Sequence, residues 1–244
     1  MNKILSKLRA ARITRNVREV FRSVPILNQN MIRLSALVEK RLFTDSATYW
    51  RELYARGGNS GPGSYGRLAN FKAAVLNDFF SQNSIQSAIE FGCGDGNQLQ
   101  YLECPSYIGL DVSAEAIALC KEKHGADTSK SFYLYHPDSF VDNHGFFKAQ
   151  VALSLDVLYH LVEDQIFHHY MTHLFSSASR YVIIYSVNQE LPIPFPHVRA
   201  RRFTDWTDKL EDWQLTNTIK NKFPFTGDPE TSSISDFFFF TKLD

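Results

Sequence analysis

Apolar residues recur along this chain in two rhythms, and the changes between them mark out its elements. Short apolar runs of strand length stand at IQSAIEF (85–91), SYIGLDV (106–112), SFYLYH (131–136), VALSLDV (151–157) and RYVIIYSV (180–187). Between them lie NQLQYLE (97–103), AEAIALCKEKHG (114–125) and LVEDQIFHHYMTHLFSSAS (161–179), whose spacing predicts helices. Upstream, FKAAVLNDFFSQNSI (71–85) sets Phe71, Val75, Leu76 and Phe79 on one helical side. Downstream, WQLTNTIKNKF (213–223) and SDFFFFTKLD (235–244) fit two final paired strands, with Phe237 to Phe240 supplying both faces of a covered strand. Strand–helix alternation of this kind predicts an α/β fold, a mostly parallel seven-stranded sheet with helices on both faces.

The first 45 residues differ. Ile4, Leu8, Ile13, Val17, Val20 and Phe21 recur at helical spacing among Arg12, Arg15, Arg18 and Arg22. The pattern resumes after Pro25 in MIRLSALVEKRLF. We expect a basic N-terminal helical arm over 1–45, followed by one domain over 46–244. The arm packs on its own domain, mediates homodimerisation, or meets a partner or a membrane surface. Next, GGNSGPGSYG (57–66) carries five glycines and a proline, which reads as a loop. Its aromatic flanks, Tyr49, Trp50, Tyr54 and Tyr65, suggest a loop that folds over something.

Composition narrows the function. Net charge is zero over 244 residues, so the whole molecule makes no electrostatic case for nucleic acid. The arm holds ten Lys/Arg against three acids, and the remainder is correspondingly acidic. Cys93, Cys104 and Cys120 form neither a CxxC pair nor a zinc-spaced set, so no metal is expected and a reducing cytoplasm is the simpler setting. No run approaches the ~20 apolar residues of a membrane span.

The chemistry concentrates in AIEFGCGDGNQLQ (88–100). Glycines between a strand and a helix let backbone approach a ligand without a Cβ in the way, and place N–H groups near it. The spacing G-x-G-x-G, with Glu90 ahead of it, differs from the dinucleotide pattern G-x-G-x-x-G. No lysine follows, so a triphosphate loop is absent. Asp111 ends the next strand, 19 residues after Gly92, where a carboxylate can accept from ribose hydroxyls. Asp138, in YHPDSF, stands where an acid can accept from an adenine amino group. The set suits a nucleoside with a zwitterionic tail.

In order, E-F-G-C-G-D-G, G-L-D-V-S, P-D-S and S-L-D-V-L-Y-H-L resemble the motifs of the Rossmann-like, class I S-adenosylmethionine-dependent methyltransferases, across roughly residues 49–187. The resemblance implies S-adenosylmethionine as cofactor and S-adenosylhomocysteine as product. It implies that Gly92, Cys93, Gly94, Gly96 and Asn97 cradle the methionine part, with Glu90 supporting the loop and the ammonium group. Asp111 would hold the ribose, Val112 cover the adenine, and Asp138 and Ser139 lie at its edge. Leu155 and Asp156 would sit near the sulfonium. The stretch TYWRELYARGGNSGPGSYGRLANFKAAVLNDFF is similar to segments of bacterial methyltransferases associated with surface-polysaccharide assembly, where it would close as a lid carrying Tyr49, Trp50 and Tyr65.

Methyl transfer from a sulfonium is an in-line displacement, in which the protein aligns the reacting atoms and a hydroxyl acceptor needs a base. Asp156 and His160 share a face if a helix starts near Asp156, which makes them the candidate catalytic pair, with Tyr159 beside them. His168, His169 and His173 read as solvated or structural. In PIPFPHVRARRFTDW (192–206), His197, Arg199, Arg201 and Arg202 concentrate charge that either binds an anionic, small or saccharide-linked acceptor or pairs with Asp205, Asp208 and Glu211. Two other readings stand beside this one: a binding scaffold that kept the pocket without turnover, and a nicotinamide-dependent oxidoreductase, which the glycine spacing disfavours.

Overall fold

The computed structural model describes residues 43–243. The basic arm predicted over 1–45 lies, up to residue 42, outside the described residues. Residues 44–193 and 197–243 form the compact body described below.

Among the described residues the strands are β1 (Ser87–Phe91), β2 (Ser106–Asp111), β3 (Lys130–Leu134), β4 (Ala149–Leu155), β5 (Ala178–Ser186), β6 (Trp213–Ile219) and β7 (Asp236–Lys242). They form one sheet in the order β3-β2-β1-β4-β5-β7-β6. Strands β1 to β5 pair in parallel, whereas β7 runs antiparallel to both β5 and β6. The sheet is therefore mixed, which corrects the expectation of a mostly parallel one. Residues 220–235 join β6 to β7 without a crossover helix, and a parallel pair needs such a crossover.

The helices are α1 (Ser46–Ala55), α2 (Gly66–Gln82), α3 (Ala114–His124), α4 (Asp164–Ser176) and a single turn, α5 (Thr204–Thr207). Two apolar clusters flank the sheet. Phe167, Tyr170, Met171, Leu174 and Phe175 of α4 pack in the cluster that takes Phe238 and Phe240. Ala73, Leu76 and Phe80 of α2 pack in the other, with Phe237 and Phe239. The phenylalanine run thus alternates between the two faces, as the period of a strand requires. Helix α3 starts where Ser113 Oγ accepts from Ala116 N, and it ends among Lys121, Lys123 and His124, where cations favour the helix terminus.

Three boundaries differ from expectation. NQLQYLE forms only a 3₁₀ turn, Gln98–Tyr101. Strand β3 stops at Leu134, before YHPDSF. After β4 the chain makes a short 3₁₀ turn, Leu158–His160, and α4 begins at Asp164. No helix of the described residues is long and apolar enough to cross a membrane.

Candidate active site

Strand β1 lies between β2 and β4, so the chain's crossovers diverge on its two sides and leave a crevice beyond its carboxyl end. The glycine stretch turns there. Gly92 and Gly94 adopt φ of +80° and +59°, a left-handed region that other residues enter at a cost. Space is equally restrictive. A Cβ on Gly92 would lie 2.5 Å from Val157 Cγ2, and one on Gly94 would lie 2.2 Å from Ser60 Oγ.

Asp111 faces this turn from the end of β2. Its Oδ2 accepts from Gly94 N at 2.9 Å and its Oδ1 from Ser113 N at 2.9 Å. Burial pushes its pKa up to about 6, against the pull of those backbone donors. The other amides of the turn are also engaged: Asp95 N donates to Ser60 Oγ, Gly96 N to Cys93 O and Asn97 N to Asp95 Oδ1. The expected nest of N–H groups turned to a ligand is therefore satisfied from within. Cys93 is buried in the α2-side cluster, and the neighbouring Cys120 together with burial pushes its thiol pKa up. Glu90 is also buried. It accepts from Tyr107 Oη at 2.5 Å, and desolvation raises its pKa to about 7 while Tyr107 and Lys72 oppose the rise. Its Oε2 is engaged by Tyr107, and no hydrogen bond to the glycine loop accompanies it among the described residues.

The loop over 57–66 closes on the turn. Asp95 Oδ1 accepts from Ser60 Oγ at 2.8 Å and Asp95 Oδ2 from Tyr65 Oη at 2.5 Å. Tyr54 Oη and Ser60 Oγ share a hydrogen bond at 2.9 Å, and Asn97 Nδ2 donates to Ser64 O at 2.7 Å. Of the expected aromatic lid, Tyr65 joins this latch, whereas Tyr49 and Trp50 go elsewhere. Tyr49 stacks on His197 with ring centres 4.2 Å apart, and Trp50 meets His160 edge-on at 4.7 Å. The reason is the anchoring of α1: Ser46 N and Oγ donate to the Glu163 carboxylate, which ties the helix to the start of α4.

Beside Asp111 opens a cleft of about 330 Å³. Val112, Leu134, Tyr135 and His136 line it from the ends of β2 and β3, and Arg51 and Glu52 line it from α1. Asp138 and Ser139 do not line it, because β3 ends at Leu134 and YHPDSF forms a turn beyond it. Asp138 Oδ1 instead contacts His169 Nδ1 at 3.0 Å. His136, an exposed residue, lines the cleft where Asp138 does not.

At the end of β4, Leu155 is buried and Asp156 sits at φ +60°. Asp156 Oδ2 accepts from Lys72 Nζ at 2.8 Å, and its Oδ1 accepts from Ser235 Oγ at 2.9 Å and from Tyr159 Oη at 3.1 Å. No helix starts at Asp156, so the expected helical face shared with His160 does not form. His160 is half-buried and its Nδ1 lies 3.1 Å from His197 O. A carbonyl only accepts, so Nδ1 carries the proton and Nε2 keeps a lone pair. Desolvation lowers its pKa to about 4, which leaves the ring neutral at pH 7.

The arginines expected at an acceptor are tied down. Arg199 Nη1 donates to Val162 O and Asp164 Oδ1, both at 3.1 Å. Arg201 donates to Asp164 Oδ1 and to the carbonyls of Leu161 and Val162. Arg202 pairs with Asp205 at 3.1 Å. Asp164 is stabilised as an anion, first by Arg201, and its pKa falls. Arg199 and Arg201 therefore tie this segment to the start of α4, and Arg202 pairs with Asp205, the second of the two expectations for this segment.

A scan against protein-family models finds no match, and a search of curated proteins finds none. Solved structures are similar. The N-methyltransferase NodS from Bradyrhizobium japonicum WM9, in complex with S-adenosyl-L-homocysteine, superposes with a TM-score of 0.64 at 13% identity, covering 82% of this chain and 100% of that one. Magnesium protoporphyrin IX methyltransferase (ChlM) from Synechocystis PCC 6803, with bound SAM, gives 0.57 at 15% identity, covering 82% and 98%. The methyltransferase domain of bacterial CtHen1 gives 0.54 at 17%, covering 71% and 97%. The fold is that of the SAM-dependent methyltransferases.

Within this methyltransferase fold, sequence reading missed Lys72, Asp95, Ser60, Ser235 and His136. Asp95 carried a signal, as an acid inside the glycine stretch. So did Lys72, a lone charge on the apolar face that holds Leu68, Ala69, Ala73 and Leu76. Ser60, Ser235 and His136 sit in loops, where periodicity says nothing.

Proposed function

We propose that this protein transfers a methyl group from S-adenosylmethionine to a hydroxyl or amine of a small or saccharide-linked acceptor. The observation that supports it is the meeting of Asp111 with Gly94 at the turn after β1, beside an open cleft next to Val112. Gly92, Gly94 and Asp111 would hold the methionine and ribose parts, and Val112, Tyr135 and His136 the adenine. When bound, the cofactor supplies a sulfonium methyl that passes to an acceptor lone pair while the sulfur keeps the bonding electrons.

The chain's own residues align and deprotonate. Asp156 is saturated by Lys72, Ser235 and Tyr159, so it positions rather than abstracts a proton. His160 is neutral and has a lone pair at Nε2, and it takes the acceptor proton there. Arg199 and Arg202 pair with Asp164 and Asp205 but stay exposed with donors to spare, so they stay accessible to an anionic acceptor. Modification of a capsule or lipopolysaccharide rests on the sequence resemblance alone. A reducing cytoplasm suits the free cysteines Cys93, Cys104 and Cys120.

Incubation with methyl-labelled S-adenosylmethionine and a panel of sugar nucleotides and glycan extracts tests the reading. Label passing to an acceptor with wild type, and lost in His160→Gln, supports it. Cofactor binding without transfer to any acceptor favours a scaffold.

A further inference from the structure

Strand β3 is an edge of the sheet, with no strand beside its outer side among the described residues. Tyr107 N donates to Ser129 O at 2.9 Å, and Tyr135 N donates to Asp111 O at 2.8 Å. A parallel strand turns successive peptide groups to alternate sides, so Ser131 and Tyr133 serve β2. Phe132 and Leu134 then turn their N–H and C=O groups to the free edge. Residues 131–134 carry none of the devices that blunt an edge: no charge, no proline and no bulge. Lys130, the nearest charge, is paired with Asp127. The opposite edge, β6, is protected. Its register shifts between Leu215 and Asn217, and Gln214, Thr216, Asn217 and Thr218 are exposed along it.

The surface around β3 is apolar. Tyr133, Leu134, Val141 and Phe146 are between 46% and 74% exposed. They sit together. The Tyr133 ring meets Phe147 at 5.1 Å and Phe147 meets Phe140 at 5.4 Å. Asp142 folds the adjoining loop by accepting from the amides of Phe146 and Phe147. On the order of 400 Å² of apolar side chain is open here, a patch of the size that marks an interaction site.

We infer that this edge pairs with the same edge of a second copy of the chain, antiparallel, about a two-fold axis at Tyr133. The edge is complementary to itself. Its outward groups lie at 132 and 134, either side of the axis, so Phe132 faces Leu134 of the second copy and Leu134 faces its Phe132. Each of these two pairs exchanges N–H···O=C bonds in both directions. Tyr133 meets Tyr133 of the second copy as the close pair without backbone bonds, and aromatic cross-strand pairs of this kind stabilise a sheet. Residues 131–134 bring no charge to the axis. A strand of another protein would satisfy the same backbone groups, but it would not match an apolar strip to itself. Two such patches supply about 800 Å², and the joined backbones bring the contact near the ~1,000 Å² of a specific interface, which fits a weak, concentration-dependent dimer. The pairing stands apart from the reaction proposed above.

Sedimentation of the full chain at concentrations of about 1–100 µM tests it, and wild type should shift from monomer to dimer across this range. Leu134→Pro removes an N–H that points away from β2, so the strand keeps its inner partner and the dimer should be lost. Tyr133→Cys places two thiols opposite each other, with Cα atoms about 4.5 Å apart, and should give a disulfide-linked dimer after mild oxidation. Leu134→Cys, although exposed, sets its two thiols beyond the ~7 Å limit and should stay unlinked, as should wild type. Linkage of Leu134→Cys as readily as Tyr133→Cys overturns the register and the pairing with it. A dimer that survives in Leu134→Pro uses another surface and overturns the proposal. Monomeric wild type overturns it too, whether hydrogen exchange then finds the β3 amides open or covered from within the chain.

Discussion

Ser60 and Asp95 bind each other three times: Ser60 Oγ donates to Asp95 Oδ1 at 2.8 Å, Ser60 N donates to Asp95 Oδ2 at 3.3 Å, and Asp95 N donates back to Ser60 Oγ at 2.9 Å. With Tyr65 on the second carboxylate oxygen, the acid inside the glycine stretch becomes the catch of a lid. Burial works against the Asp95 anion, but Tyr65, the Asn97 amide and Ser60 outweigh it and its pKa falls. Asp95→Ala removes every one of these side-chain acceptors. Trypsin should then cut after Arg56 or Arg67, which flank the loop, on the order of tenfold faster, the change expected for losing about 1.4 kcal/mol of closure. An unchanged cutting rate would mean that the latch does not hold the loop.

Glu90 gives a pH signature. Its folded pKa is about 7, above the ordinary value of 4.5. A carboxyl raised in this way contributes stability that is present below about pH 4.5 and is lost as pH rises through 7. Asp111, raised to about 6, adds in the same direction. His160, lowered to about 4, acts in the opposite sense, its contribution being lost as pH falls below 6.5. Denaturant unfolding of Glu90→Gln, which keeps an acceptor for Tyr107, should show a fall between pH 4.5 and 8 that is smaller by about 2–3 kcal/mol than in wild type. Identical slopes would show that Glu90 is ionised throughout.

Nitrogen NMR of His160 should show the Nδ1–H tautomer from pH 8 down to about pH 5, with protonation of Nε2 centred near 4. A cationic ring at pH 7 would remove it as the base.

Arg201 and Arg202 should behave differently, although they are neighbours. Arg201→Ala breaks bonds to Asp164 and two carbonyls and should cost about 1–3 kcal/mol of stability. Arg202→Ala removes one exposed ion pair and should change stability by less than ~0.5 kcal/mol. Equal losses in thermal unfolding would contradict the assignment of residues 199–205 to a structural clamp.

Much of the fold was legible because strands buried on both faces and amphipathic helices impose their own periods. Phe237 to Phe240 is a clear case, since four consecutive aromatics make sense only with a core on each side. The antiparallel insertion of β7 was harder to see, because its signal is the lack of a helix between residues 220 and 235. In the site, Asp111 was readable from its distance to Gly92. Asp138 falls outside the cleft because the strand ends two residues before the predicted Tyr135–His136 end and the chain turns beyond it, leaving Tyr135 and His136 on the lining. Which acid each arginine meets was not legible, because charge says nothing of the neighbour it will find, and Asp164 lies 35 residues before Arg199.

The account rests on an adenosyl ligand held between the turn after β1 and Asp111. Titration of S-adenosylhomocysteine into wild type and Asp111→Ala, with NAD as the control ligand, tests this most directly. The account predicts one saturable site for S-adenosylhomocysteine, none for NAD, and a loss of about 1–3 kcal/mol in the variant. Absence of binding to wild type, or equal affinity in Asp111→Ala, would contradict it.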